Sequence, residues 1–291
     1  MCSKVRAVPR NTLGLLAFAA LLAGCPSIEN DPKKSDHQLS LCRAELNHHA
    51  LEAAKTDCDR AIAFNPNNDE AYLVRGAIAL THAHDTEQTL EIDGCLTGLD
   101  AESTHKDLDA QLREADADFE QATKVTPDYG EAWADRAQVH NLLEDPVTAE
   151  KYAQTALGYP ARLVNPGLTR AGLGWSLFLQ KKQIDAAREL RAALQFQPKM
   201  CVATYRLGRV YLDRGEWDKA SEYFQTVSDD PDCKSQEASL YLMKTKLQQG
   251  LVDDARDARD ACLKLSPKSC NAAQCRADGG ALGPSRPKAA P

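Results

Sequence analysis

The chain repeats itself about every 34 residues, and a period in that range marks a solenoid of stacked supersecondary units. Small residues set the register. Ala54, Ala115, Ala149, Ala186, Ala220 and Ala255 each stand seven positions before a second small or medium residue: Ala61, Ala122, Ala156, Ala193, Val227 and Cys262. A proline follows four or five positions later, at Pro66, Pro127, Pro160, Pro198, Pro231 and Pro267. Twelve positions upstream of three of these alanines lie Ala137, Gly174 and Gly208. A solenoid makes a binding surface, rather than a reaction centre, the first expectation.

Small residues at both places let two antiparallel helices approach closely. Bulky neighbours such as Trp133, Leu173, Leu207, Tyr211, Phe119 and Phe224 fill the space between pairs. Proline cannot continue the second helix, so it ends it. One pair cannot bury its own apolar face, but stacked pairs can. This pattern resembles the tetratricopeptide repeat family. Residues 167–200 carry Leu173-Gly174, Ala186, Leu190, Ala193 and Pro198 in the family's places. Residues 201–234 carry Leu207-Gly208, Tyr211, Gly215, Ala220 and Phe224, and residues 236–269 carry Leu242, Gly250, Ala255 and Pro267. Residues 35–68 and 130–163 are fainter but in register. The second repeat, 69–129, is split: Tyr72 and Gly76 mark a first helix over 69–82, and Ala115, Phe119 and Ala122 a second over 106–125. An insertion around 84–105, rich in Asp, Glu, Thr and Gly, separates them. The expected fold is all-α, a right-handed α-solenoid of six repeats over residues 35–269, with a cysteine-containing cap and a disordered tail over 270–291, the tail starting at Ala277.

The N-terminus carries Lys4, Arg6 and Arg10, then an apolar run over 12–22 that is too short to span a bilayer. That is the outline of a secretory signal. Its end, Leu22-Ala23-Gly24-Cys25, resembles a bacterial lipobox. The resemblance implies removal of residues 1–24, a lipid on the Cys25 thiol and a short tether over 25–34. Two or more acyl chains at one site anchor stably where one does not. Pro26, rather than an acidic residue, follows the cysteine, which favours the outer membrane; a periplasmic facing is the expectation there, though nothing in the residue order fixes it.

The formal net charge is -7, with no basic stripe, so nucleic acid is not the expected partner. Removal of Cys2 with the signal and lipidation of Cys25 would leave eight cysteines in an exported chain, a number that suggests disulfides. Cys42 and Cys58 fall on facing helices of the first repeat. Cys201 starts the fifth repeat and Cys233 lies at its end. Cys262, Cys270 and Cys275 cluster at the C-terminal end, and Cys95 has no evident partner. Buried free thiols in place of alanine are the alternative, above all at Cys262 and Cys58. His48-His49 and His82-x-His84 sit in neighbouring turns, but no His-Glu-x-x-His or Cys-x-x-Cys motif accompanies them, so no metal or other cofactor is expected. No phosphate-binding glycine loop, nucleophile elbow or paired signature carboxylates occur, and Asp107, Asp109, Glu114, Asp116 and Asp118 read as a solvated helix face. No enzyme activity and no small-molecule substrate are expected.

In the resembled family the first helix of each repeat lines a concave face at its second, fifth, ninth, twelfth and thirteenth positions. Here the fourth repeat offers Leu168, Ala171, Trp175, Phe178 and Leu179, and the fifth Val202, Tyr205, Arg209, Leu212 and Asp213. The third offers Glu131, Ala134, Gln138, Asn141 and Leu142, and the sixth Glu237, Leu240, Lys244, Leu247 and Gln248. The groove is expected to be most apolar around Trp175, Phe178 and Tyr205, which would suit an amphipathic helix of a protein partner. The alternative is that Trp175 and Phe178 pack inward. The carboxylate clamp of some family members is absent, since the matching positions hold Leu39, Arg43, Val74, Glu131 and Asp135. Lipobox and repeats together resemble the type IV pilus secretin pilotins of the PilF, PilW and Tgl kind, and Ala156-Leu157-Gly158-Tyr159-Pro160 with Asn165-Pro166 is similar to that group's inter-repeat segment. The resemblance implies an outer-membrane lipoprotein that promotes assembly of a secretin ring. A general envelope scaffold is the alternative, and a surface-displayed adhesion or motility component a third.

Overall fold

The computed structural model describes residues 30–233 and 235–283. The signal segment 1–24, the lipidation site Cys25, the first part of the tether and residues 284–291 lie outside the described residues. Among the described residues there are thirteen α-helices and no strands. They pair as α1 (Pro32–Asn47) with α2 (Leu51–Phe64), α3 (Asp69–Glu87) with α4 (Gly98–Val125), and α5 (Gly130–Leu142) with α6 (Pro146–Gly158). Then come α7 (Pro166–Leu179) with α8 (Gln183–Phe196), α9 (Cys201–Asp213) with α10 (Trp217–Asp229), and α11 (Gln236–Gln248) with α12 (Val252–Leu265). A last helix, α13 (Cys270–Gly279), packs on α11 and α12. Each pair packs on the next, the arrangement of a tetratricopeptide-repeat solenoid.

The small residues mark where helices nearly touch. A Cβ added at Gly174 would lie 2.6 Å from Leu190 Cγ and 3.1 Å from the Ala186 carbonyl oxygen. At Gly76 and Gly208 it would meet the rings of Phe119 and Phe224, also at 2.6 Å. Those three large side chains are fully buried at 0% exposure. The turn inside each ordinary repeat needs one residue in the left-handed region: His49 (φ 58°), Glu144 (φ 58°), Lys181 (φ 65°), Gly215 (φ 73°) and Gly250 (φ 72°) occupy equivalent places. Only two of the five are glycine, which is why this turn is faint in the sequence. His49 therefore serves the turn, and its ring faces the Asp85 carboxylate at 3.1 Å.

Three expectations are corrected. Helix α1 starts at Pro32, inside the expected tether, because Asp31 caps it by accepting from the Lys34 backbone N–H at 3.1 Å and proline suits the first turn. The C-terminal tail was expected from Ala277, yet α13 runs to Gly279 and a 3₁₀ turn follows over Gly280–Leu282. Arg256 and Arg259 hold this end by donating to the carbonyls of Leu282 at 2.8 Å and Gly283 at 2.7 Å. Asp118 is no part of a solvated face: it is 5% exposed and accepts from Arg75 at 2.9 Å. Asp116 likewise accepts from the 6%-exposed Arg136 at 2.8 Å. These two pairs join α3 to α4 and α4 to α5.

The insertion in the second repeat is also mostly helical. Helix α3 is 19 residues long, against 13 or 14 for α5, α7, α9 and α11. It continues into a π-helical turn over Gln88–Ile92, whose Leu90 is buried. Helix α4 starts at Gly98, earlier than expected. The π turn packs against α13, so the segment bridges the second repeat and the C-terminal cap. The bridge is covalent, for Cys95 is bonded to Cys270 across 175 positions. The other sulfurs join Cys42 to Cys58, Cys201 to Cys233 and Cys262 to Cys275. Repeat geometry brings each of these three pairs together, because each spans one helix pair or its cap. The Cys95 bond depends on how far the solenoid curls, which no local pattern reveals.

Cross-linking stabilises mainly by restricting the unfolded chain, more for longer loops. Replacing both Cys95 and Cys270 by serine should lower stability by about 2–4 kcal/mol, read from chemical denaturation. The loss should exceed that for the Cys42 and Cys58 double replacement, whose loop is far shorter. Equal losses would show that the bridge does not restrain the chain. Thiol trapping without reductant should label none of the eight cysteines.

Candidate partner-binding groove

Helices α5, α7 and α9 place one side of each repeat on the inner face, and between them lies a cavity of about 350 Å³. That is the size of a small ligand site rather than a cleft for a whole helix, which is about 10–12 Å across. Leu168, Trp175 and Val202 line it, as expected. Leu168 is 45% exposed.

The third repeat's expected residues, Glu131, Ala134, Gln138, Asn141 and Leu142, line it as well, whereas the rest of those expected in the fourth and fifth repeats separate from it. Phe178 and Tyr205 belong to the core, at 6% and 9% exposure, which corrects their reading as surface anchors. The reason is packing. Phe178 carries the Trp175 ring stacked upon it at 5.0 Å, and Tyr205 packs in a cluster with Phe224 and Tyr241. Arg209 is held within the protein too. It donates to Tyr205 Oη at 2.7 Å and lies 3.9 Å over the Tyr241 ring. Leu212 lines a different, open depression with Trp217, Lys244 and Leu247. Leu179 is exposed, but it does not line the cavity. Trp175 is half-buried and shared between core and cavity. Its truncation would therefore disturb the fold as well as the groove.

The cavity's exposed lining is mostly apolar, but charged side chains share it. Position six of the third, fourth and fifth repeats holds Asp135, Gly172 and Arg206, and all three face the same space. A Cβ at Gly172 would have only Asn141 Nδ2 nearby, at 3.9 Å, so the missing side chain leaves the cavity open between an acid and a base. Asn141 donates to the Gly172 carbonyl at 3.1 Å, but its Oδ1 is buried without a partner. Asp135 has no hydrogen-bond or ion-pair partner among the described residues. Burial, with the Glu131 charge beside it, pushes its carboxyl up to about 8. Arg206 donates to the Ala171 carbonyl at 3.0 Å and lies 5.2 Å over the Trp175 ring, with no carboxylate at ion-pair distance. Burial brings its guanidinium down to about 10. His84, near the end of the lengthened α3, completes the wall. Its imidazole is raised by the hydrogen bond with Glu87.

Asp135, Arg206 and Gly172 were not among the expected groove residues. The signal was present, since the sixth positions of three successive repeats stack, but it requires reading across repeats rather than along one helix. Among the described residues no group of three or more His, Cys, Asp or Glu side chains could hold a metal ion, and no helix is long and apolar enough to cross a membrane.

The fold is that of the tetratricopeptide-repeat solenoids. PilW, a widely conserved type IV pilus biogenesis factor, superposes with a TM-score of 0.66 at 19% identity, over 82% of this chain and 96% of PilW. PilF of Pseudomonas aeruginosa superposes with a TM-score of 0.61 at 14% identity, over 84% of this chain and 98% of PilF. Cut9 with Hcn1, from an APC/C hetero-tetramer, also gives 0.66, at 13% identity, over 86% of this chain but 43% of that one. By sequence, the family described as Nucleoporin Nup120, HEAT repeats, matches residues 175–263, under a third of the chain. No curated protein matches the sequence.

The Asp135 carboxyl sets a pH dependence. Its folded value stands above the ordinary 3.8, so the folded chain holds a proton that the unfolded chain releases. Stability should therefore fall as pH rises from about 4 to about 8 and level off above that. Asp135→Asn should remove this contribution. Its melting temperature should exceed that of the unaltered protein by a margin that widens from pH 4 to pH 8. A constant margin would show that Asp135 ionises normally.

Proposed function

We propose that this chain is a non-enzymatic lipoprotein of the outer membrane that binds a protein partner in its inner groove and acts as a pilotin-like factor in assembly of a type IV pilus secretin. The observation that carries partner binding is the cavity between α5, α7 and α9, where Asp135 and the buried Asn141 Oδ1 lack partners among the described residues and Arg206 has a carbonyl but no carboxylate. Unsatisfied buried polar groups are costly and call for a reason. The pilus reading is supported by the likeness in fold to PilW and PilF over nearly their full lengths. The outer-membrane reading is supported by the lipobox-like end at Cys25. A general envelope scaffold is the second reading, and the equal likeness to a subunit of a hetero-tetrameric assembly supports it.

Deletion of the gene in a pilus-bearing host should reduce heat-resistant secretin multimers while secretin monomer persists. Cys25→Ala should release the protein from the outer-membrane fraction and reproduce part of that loss. Unchanged multimers in the deletion would remove the pilotin reading and leave the scaffold. A Cys25→Ala protein that still fractionates with the outer membrane would remove the lipid anchor.

A further inference from the structure

We propose that the cavity between α5, α7 and α9 recognises a short extended peptide segment through a basic side chain, lysine or arginine, set against Asp135 and Asn141, with an acidic group of the same segment set against Arg206. The inference rests on the partner-binding reading above and gives that partner its chemistry.

Three unmet needs around one cavity carry it. Asp135 offers two acceptor oxygens and, once ionised, a charge, Asn141 Oδ1 offers a buried acceptor, and neither has a donor among the described residues. A lysine ammonium or an arginine guanidinium brings several donors and the opposite charge to one point. Arg206 makes one hydrogen bond, to a carbonyl, and its remaining donors meet no carboxylate. The two charges stand on helices either side of Gly172, so the ligand must be dipolar, with the cation towards α5 and the anion towards α9. Leu168 and Trp175 offer apolar surface for the stem of the basic side chain. The volume of about 350 Å³ admits side chains and a stretch of backbone, not a helix. The charged and titratable groups facing Asp135 across the cavity are Glu131 on its own helix, His84 from α3 and Arg206 from α9, while α7 contributes none to the wall.

The test uses the purified chain and a blocked peptide, acetyl-Ala-Lys-Ala-Glu-Ala-amide, beside versions with norleucine for lysine or glutamine for glutamate. Isothermal titration should show binding of the first and at least about tenfold weaker binding of each altered peptide, the size of one lost charge-assisted contact of about 1.4 kcal/mol. Asp135→Asn should weaken the lysine peptide by a similar factor and leave the norleucine peptide unaffected. Arg206→Gln should do the same for the glutamate. Affinity of the unaltered protein should rise roughly tenfold or more between pH 6.5 and 8.5, because a bound cation must meet the ionised carboxylate. Asp135→Asn should abolish that rise. A rise that persists would assign it to His84 and overturn the role of Asp135.

Gly172→Leu should fill the cavity, abolish binding and keep the melting temperature, which separates a blocked site from a broken fold. No binding of the lysine–glutamate peptide at millimolar concentration would overturn the proposal. So would peptide binding seen only in a chain ending at Gly283, or a dimer that Gly172→Leu dissolves. Those outcomes would give the cavity to the chain's own end or to a second copy. If secretin multimers depend on the chain while no peptide binds, this inference alone has failed. If the peptide binds and multimers are unaffected, only the pilotin reading has failed.

Discussion

Everything in this molecule depends on how closely two helices of one repeat can approach. At Gly76, Gly174 and Gly208 a single added carbon would collide with a fully buried Phe or Leu of the paired helix. Interiors this dense respond to one extra methyl group, so these positions tolerate almost nothing larger. Close approach within each pair fixes the angle at which the next pair must stack. Repeated six times, that small rotation bends the inner face into a groove. The binding surface is thus a consequence of small residues that never touch a ligand.

The lengthened α3 and its π turn act on a second scale. An open solenoid has two ends, and the terminal units have neighbours on one side only. Here the second repeat reaches across to α13 and is bonded to it through Cys95 and Cys270. The chain between these residues can no longer unwind from the C-terminal end without opening a large covalent ring. The same segment places His84 on the cavity wall, and in its π turn the Glu91 carboxyl is raised first by burial and then by the Glu87 and Glu237 charges. The insertion therefore fixes the curvature and helps to line the groove.

The sequence made the repeats legible because small residues, bulky residues and prolines recur at fixed offsets, and each has one physical meaning in a helix pair. What it concealed falls into two kinds. Non-glycine residues in left-handed turns, such as Glu144 and Lys181, carry no compositional mark. Long-range closure, as at Cys95, depends on cumulative rotation rather than on any local pattern. For the groove, position along one helix is a good guide to Leu168, Trp175, Val202 and the third repeat's Glu131, Ala134, Gln138, Asn141 and Leu142, but it misplaces Phe178 and Tyr205. Large aromatic side chains at inner positions gain more from packing on one another than from facing water.

The residues left facing the cavity are those that packing cannot use. Among the described residues Asp135 is held without a partner and Arg206 with only one carbonyl, on either side of a glycine where an added Cβ would meet nothing closer than 3.9 Å. A chain selected for stability alone would replace the acid with an amide and fill the gap above Gly172. Stability is commonly given up where a site must stay ready for a ligand. The conflict at position six, where three repeats together choose acid, space and base, is therefore the feature on which the proposed partner site rests, more than on the apolar side chains around it.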